Sequence, residues 1–136
     1  MKKEIATRWV KALRSGKYKQ GQNHLCVLTS KGAEHCCLGV LTDMYQKDCK
    51  RKKIKPLPTK DNYSDYRERC AVGYGSTNEF QVLHSKVKNW AGMKTKSGLI
   101  PNDDPEMDDI ELTVMNDDGD SFKKIANFIE KNYKIL

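Results

Sequence analysis

The hydrophobic period of this chain changes abruptly near residue 38, and that change argues against both an all-helical and an all-β fold. Residues Asn23–Ser30 and Ala33–Leu38 read as two strands around a Lys31-Gly32 turn. From Leu38 onward the spacing is helical: Leu38, Leu41 and Tyr45, with Val40 and Met44 beside them. A strand period followed directly by a helix period predicts an α+β domain.

The flanks agree. Ile5, Ala6, Trp9, Val10, Ala12 and Leu13 recur at helical spacing, with Lys3, Arg8, Lys11 and Arg14 on the wet side, so residues 3–14 read as an amphipathic helix. Trp9 reads as a core anchor. Ser15-Gly16 is its stop, and a polar loop follows to Gly21. Lys47–Lys55 is a basic stretch closed by Pro56 and Pro58, and residues 56–65 read as an exposed loop. Tyr66–Tyr74 reads as a strand and Leu83–Trp90 as a short helix with Gly92 past its end. Residues 94–109 are loop-like, Ile110–Met115 fits more than one state, and Asn116–Asp120 reads as a turn. Asp120 or Ser121 then caps a last helix built on Phe122, Ile125, Ile129 and Tyr133. The expectation is one α+β domain over residues 1–136. A helix opens it, another closes it, and an antiparallel hairpin or sheet packs with helices between.

The hairpin carries most of the thiol chemistry. A two-residue turn would set Cys26 opposite Cys37, and a three-residue turn would set it opposite Cys36. Alternation puts Leu28 on the face of Cys26, so that face is expected to be core. Five cysteines, an odd number without a Cys-x-x-Cys pair, point to reduced thiols rather than a disulfide framework or zinc ribbon. The N-terminus lacks the apolar core of a secretion signal and no apolar run is long enough to span a bilayer, so a cytoplasmic protein without membrane contact is expected.

Charge is split along the chain. Residues 1–98 carry 21 Lys/Arg against 8 Asp/Glu, and residues 99–136 carry 4 against 10. A basic front and acidic back suit an anionic partner for the front, pairing of the two ends within one globule, or contact between subunits of a homo-oligomer.

These residues bear on five kinds of site. His24, Cys26, His35, Cys36 and Cys37 share the hairpin and are soft ligands. Adjacent strand residues face opposite ways, however, so no metal site is expected. A Cys–His nucleophile, with His84 as a distant base, lacks any local signature. The carboxylates of Asn116–Asp120 fall short of a calcium loop, because the twelfth position from Asn116 is Asn127. Lys47–Lys55 with Tyr63, Tyr66 and Tyr74 would suit nucleic acid, although the acidic last third opposes a long polyanion. A small anionic nucleotide fits better. Arg14, Lys17, Arg67 and Arg69 would meet phosphates, Tyr18, Tyr74 or Trp90 would stack a base, and Asn116 or Asp117 would hold ribose, with Gln20 a further candidate near the end of the first helix. No Gly-rich phosphate loop occurs, and no cofactor is expected.

The segments Trp9–Gln20, Cys36–Leu41, Val87–Met93 and Asn116–Phe122 together resemble a widespread group of small phage-encoded proteins; residues 47–80 match least. That resemblance implies an anti-defence protein in the host cytoplasm. It would act as a sponge that binds and sequesters a nucleotide immune signal, cyclic ADP-ribose-like or a cyclic dinucleotide, without catalysis. The alternative reading is a binding module for a host macromolecule, either nucleic acid or a defence or replication protein.

Overall fold

The segment Cys36–Leu41, which fits the end of a strand or the start of a helix, folds as helix. In a computed structural model that describes residues 1–64, 69–102 and 104–136, helix α2 spans Cys37–Arg51. Cys36 is its N-cap, with Sγ accepting from the Gly39 amide at 3.3 Å. Helix wins because every residue from Cys36 to Thr42 is buried; a strand would have turned alternate side chains outward.

Helix α1, Lys3–Arg14, has the predicted bounds, and Gly16 beyond it takes a left-handed φ of 69°. Short strands follow: β1 (Lys19–Gln20), β2 (Cys26–Thr29) and β3 (Gly32–His35). Strand β4 (Thr59–Ser64) and β5 (Arg69–Tyr74) complete a five-stranded sheet of order β1-β3-β2-β5-β4. Only the β1–β3 pair is parallel. After α3 (Ser85–Ala91), β6 (Leu99–Ile100) and β7 (Ile110–Glu111) form a separate small ladder. Helices α4 (Leu112–Asp117) and α5 (Phe122–Asn132) end the chain. Ser121 rather than Asp120 caps α5, its Oγ accepting from the Lys124 amide at 3.3 Å. The fold is α+β, as the periods predict.

Three expectations are corrected. First, the hairpin turn is Ser30-Lys31, with Thr29 paired to Gly32, so Cys26 faces His35 and neither Cys36 nor Cys37. The chain has left the sheet by Cys36 because the helix claims that residue as its cap. Second, residues 59–64 are a full strand. As a sheet edge with a partner on one side only, Thr-Lys-Asp-Asn-Tyr-Ser needs no apolar alternation and resembles a loop in sequence. Third, Asn116 and Asp117 belong to the end of α4, and the turn proper centres on Gly119 at φ 93°. Leu28 shares the face of Cys26, but it lies near the hairpin turn and is 40% exposed. The expected core on that face therefore holds at Cys26, not at Leu28.

Helix α1 packs against α5 and α2. Trp9 is fully buried and donates from Nε1 to the Cys37 carbonyl at 3.0 Å, tying α1 to the first turn of α2. The Met1 ammonium donates to the Tyr133 and Leu136 carbonyls, both at 2.6 Å, which clasps the two ends of the chain together. No helix is long and apolar enough to cross a membrane among the described residues. Arg14–Glu130 is the one ion pair among the described residues that joins the basic front to the acidic back. Pairing within the globule therefore consumes little of the charge split.

Candidate functional site

Gln20, Gly21, Gln22 and Asn23 run along the open edge of the hairpin and meet the α4–α5 connection. The Gln20 carboxamide makes this junction. Its Nε2 donates to the Asp120 carbonyl (2.8 Å) and Asn116 Oδ1 (3.2 Å), and its Oε1 accepts from the Phe122 amide (3.0 Å). Gln22 Nε2 donates to the Asp117 carbonyl at 2.9 Å. Asn23 adopts φ 65°, a left-handed conformation that asparagine tolerates better than most residues, and its amide donates to Asp117 Oδ1 at 2.8 Å.

These residues wall a hollow of about 390 Å³ whose other side is Glu34 and Arg69. Alternation along β3 turns Glu34 away from the core face that holds His35. The Glu34 carboxylate is gripped by Lys19 (2.6 Å) and Arg69 (2.9 Å), and its pKa is held down chiefly by the Lys19 hydrogen bond. Of the two cations that share this carboxylate, Arg69 lines the hollow. A second hollow of about 210 Å³ continues past Gln22, Asn23 and Arg69 to His24, Val27 and Ala71. There the His24 ring stacks on Phe80, centroids 5.7 Å apart and planes 22° from parallel. The combined groove offers charge at its centre, amides at one end and a flat ring at the other.

Of the sequence candidates, Gln20, Arg69 and Asn116 meet in this groove, and Asp117 braces its wall. The others are placed elsewhere. Arg14 lies on the α1–α5 side, bonded to Glu130 and Asn127 at 2.7 and 2.6 Å. Lys17 is exposed in the loop after α1. Tyr18 donates to Asp43 at 2.5 Å, receives Lys47 Nζ at 3.1 Å, and presents its ring edge-on to His35. Tyr74 is buried at the far end of β5, where burial raises its pKa. Trp90 is half-buried against Tyr45. Arg67 and Tyr66 lie outside the described residues. The sequence did not single out Lys19, Gln22, Asn23 or Glu34, and it offered His24 only as a metal ligand. The one local signal was the polar run Gly21-Gln22-Asn23-His24 directly before an apolar strand.

All five cysteines are free and buried. Burial pushes Cys26 up to about 11 and Cys36 up to about 12, and it also raises Cys37 well above the ordinary thiol range. Such thiols are poor nucleophiles near neutral pH. In the native protein at pH 8, Cys26 is expected to react with an aromatic disulfide reagent at least ~100-fold more slowly than in denaturant, in proportion to its thiolate fraction. Fast native labelling at Cys26, mapped by peptide mass, would contradict the burial. Among the described residues no three His, Cys, Asp or Glu side chains converge on a metal position.

A family model described as a domain of unknown function, DUF8296, matches residues 1–133, so the chain belongs to that family. No curated protein and no solved structure matches it.

Proposed function

We propose that this member of the DUF8296 family is a non-catalytic protein that captures a small anionic nucleotide in the groove between β3, β5 and the α4–α5 connection. The carrying observation is the joining of three kinds of recognition in one concavity. Arg69, which also grips Glu34, supplies a guanidinium, exposed Gln22 supplies a carboxamide, and His24 supplies a ring braced by Phe80. A phosphate needs the first, a base edge or ribose the second, and a base face the third. The two hollows together have the capacity of a mononucleotide-sized site. The motif resemblance to small phage proteins supports the biological role: sequestration of a nucleotide immune signal in the host cytoplasm.

Calorimetry with a panel of cyclic dinucleotides, cyclic ADP-ribose-like molecules and linear nucleotides tests the reading. At least one is expected to bind at micromolar concentration or tighter and to be recovered intact after denaturation. Arg69→Met is expected to weaken that binding by about tenfold or more, the worth of one charge-assisted hydrogen bond. No binding across the panel at micromolar concentrations would sink the proposal.

A further inference from the structure

We infer that the chain carries a second anion site, specific for a phosphoryl group, in the hollow between Lys55–Pro58, the turn after β5 and the start of α3. This hollow is about 360 Å³, and among the described residues no acidic side chain lines it. Lys55, Ser76, His84 and Lys86 line it together with Pro56, Leu57, Pro58 and Gly75. At other cation clusters in the fold a carboxylate sits among the positive charges, as at Arg8–Asp48, Lys47–Asp43 and Lys96–Glu79. Here the polar side chains of the lining, Lys55, Ser76, His84 and Lys86, can all donate, and among the described residues none is an anion, a composition that suits a phosphoryl group.

The walls are held in place before any ligand arrives. The Leu57 amide and carbonyl are both taken by the Gln46 carboxamide at 2.9 Å, and the Gly75 amide donates to the Pro58 carbonyl at 2.8 Å. His84 is oriented as well. Its Nδ1 accepts from the Lys86 amide at 3.1 Å, so the neutral ring carries its proton on Nε2 and presents a donor there. That edge of the ring lies over Gly75, where a Cβ would come within 2.6 Å of Nε2 and 2.4 Å of Cδ2. Glycine at φ 77° thus serves both the turn and the seat of the imidazole. Lys55, Ser76 and Lys86 are exposed, so a ligand reaches them without any opening of the fold. Walls pinned in this way reduce the ordering cost of binding.

The site is separate from the groove above. Arg69 and Tyr74 are the two ends of β5, and at roughly 3.4 Å per residue its six residues set the two positions about 17 Å apart.

Titration by NMR with inorganic phosphate and with ribose 5-phosphate, at constant ionic strength set with chloride, tests the inference. Saturable shifts of the Ser76 amide and the His84 ring protons are expected, complete below about 10 mM. Response to ribose 5-phosphate alone would assign the site to phosphorylated small molecules. Response to both would assign it to the phosphoryl group itself. The Lys55→Met, Lys86→Met double variant is expected to bind about tenfold more weakly or worse, and Ser76→Glu to abolish binding. Arg69→Met should leave the titration unchanged. Both lysines are exposed, and an unaltered circular dichroism spectrum will establish that the variants are folded. Absence of saturation with both probes, or equal affinity in the double variant, would overturn the inference. So would loss of the response in Arg69→Met.

Discussion

Replacing Gly39 with alanine is expected to cost more than about 4 kcal/mol and to leave no cooperative native state at ordinary temperature. Helix propensity alone predicts the opposite sign, since alanine is favoured over glycine in a helix by about 1 kcal/mol. The deciding quantity is space. A Cβ on Gly39 would lie 1.6 Å from the Leu25 carbonyl oxygen and 2.6 Å from its carbon. Both are backbone atoms, so no rotamer change relieves the overlap. Leu25 has no freedom to retreat either, because its amide donates to the Phe80 carbonyl at 2.7 Å and its side chain is fully buried. Urea denaturation followed by circular dichroism measures the effect. A loss below about 1 kcal/mol would show that the contact between α2 and the segment before β2 yields more readily than close packing implies.

Asn116→Ala is the second large loss, about 3–5 kcal/mol, and it should also deform the groove. The side chain is fully buried, and both ends of its carboxamide are engaged. Oδ1 accepts from the Cys37 amide (3.1 Å) and Gln20 Nε2 (3.2 Å), and Nδ2 donates to the Gly21 carbonyl (2.9 Å) and Asp117 Oδ1 (3.1 Å). Alanine strands the Cys37 amide and the Gly21 carbonyl in a dry place, at about 1–3 kcal/mol each. Asn116→Asp separates hydrogen bonding from shape. The carboxylate has no proton for Gly21 and faces the Asp117 carboxylate, so that variant is expected to be as unstable as alanine at pH 7. Its carboxyl pKa would be raised by burial and by Asp117. Protonation restores a donor, so its deficit should shrink as pH falls through the raised carboxyl range. Denaturation midpoints at pH 5 and pH 7 read this directly. A deficit that grows toward low pH would mean Asn116 does not donate to Gly21 as placed.

These two residues also show how much of the protein was legible in its sequence. Asn116 was singled out for its chemistry, as a ligand for ribose. Its position is at the groove, but its carboxamide is engaged in joining β1, α2 and α4. Nothing local distinguishes an asparagine that meets a ligand from one that bridges three elements, because the difference lies in partners 79 and 95 residues away. Gly39 carried no signal at all, since its constraint is a carbonyl from another segment.

Local periodicity and capping chemistry were sufficient for α1 over Lys3–Arg14, its Gly16 terminator, the Gly92 cap of α3, and an α5 cap at Asp120 or Ser121, of which the structure takes Ser121. These features depend on residues within about one helical turn of each other, and the sequence displays them directly. The tertiary structure alone decided the Cys26–His35 register, the edge strand β4 and the groove uniting Gln20, Arg69 and Asn116 with His24. In each case the deciding contact joins residues far apart in the chain, and a sequence period specifies which face a residue occupies, not what stands opposite it. The period change near residue 38 therefore determined the fold class by itself. Whether Cys36 ended a strand or capped a helix was decided by burial of the whole Cys36–Thr42 run, which only the packed neighbours could supply.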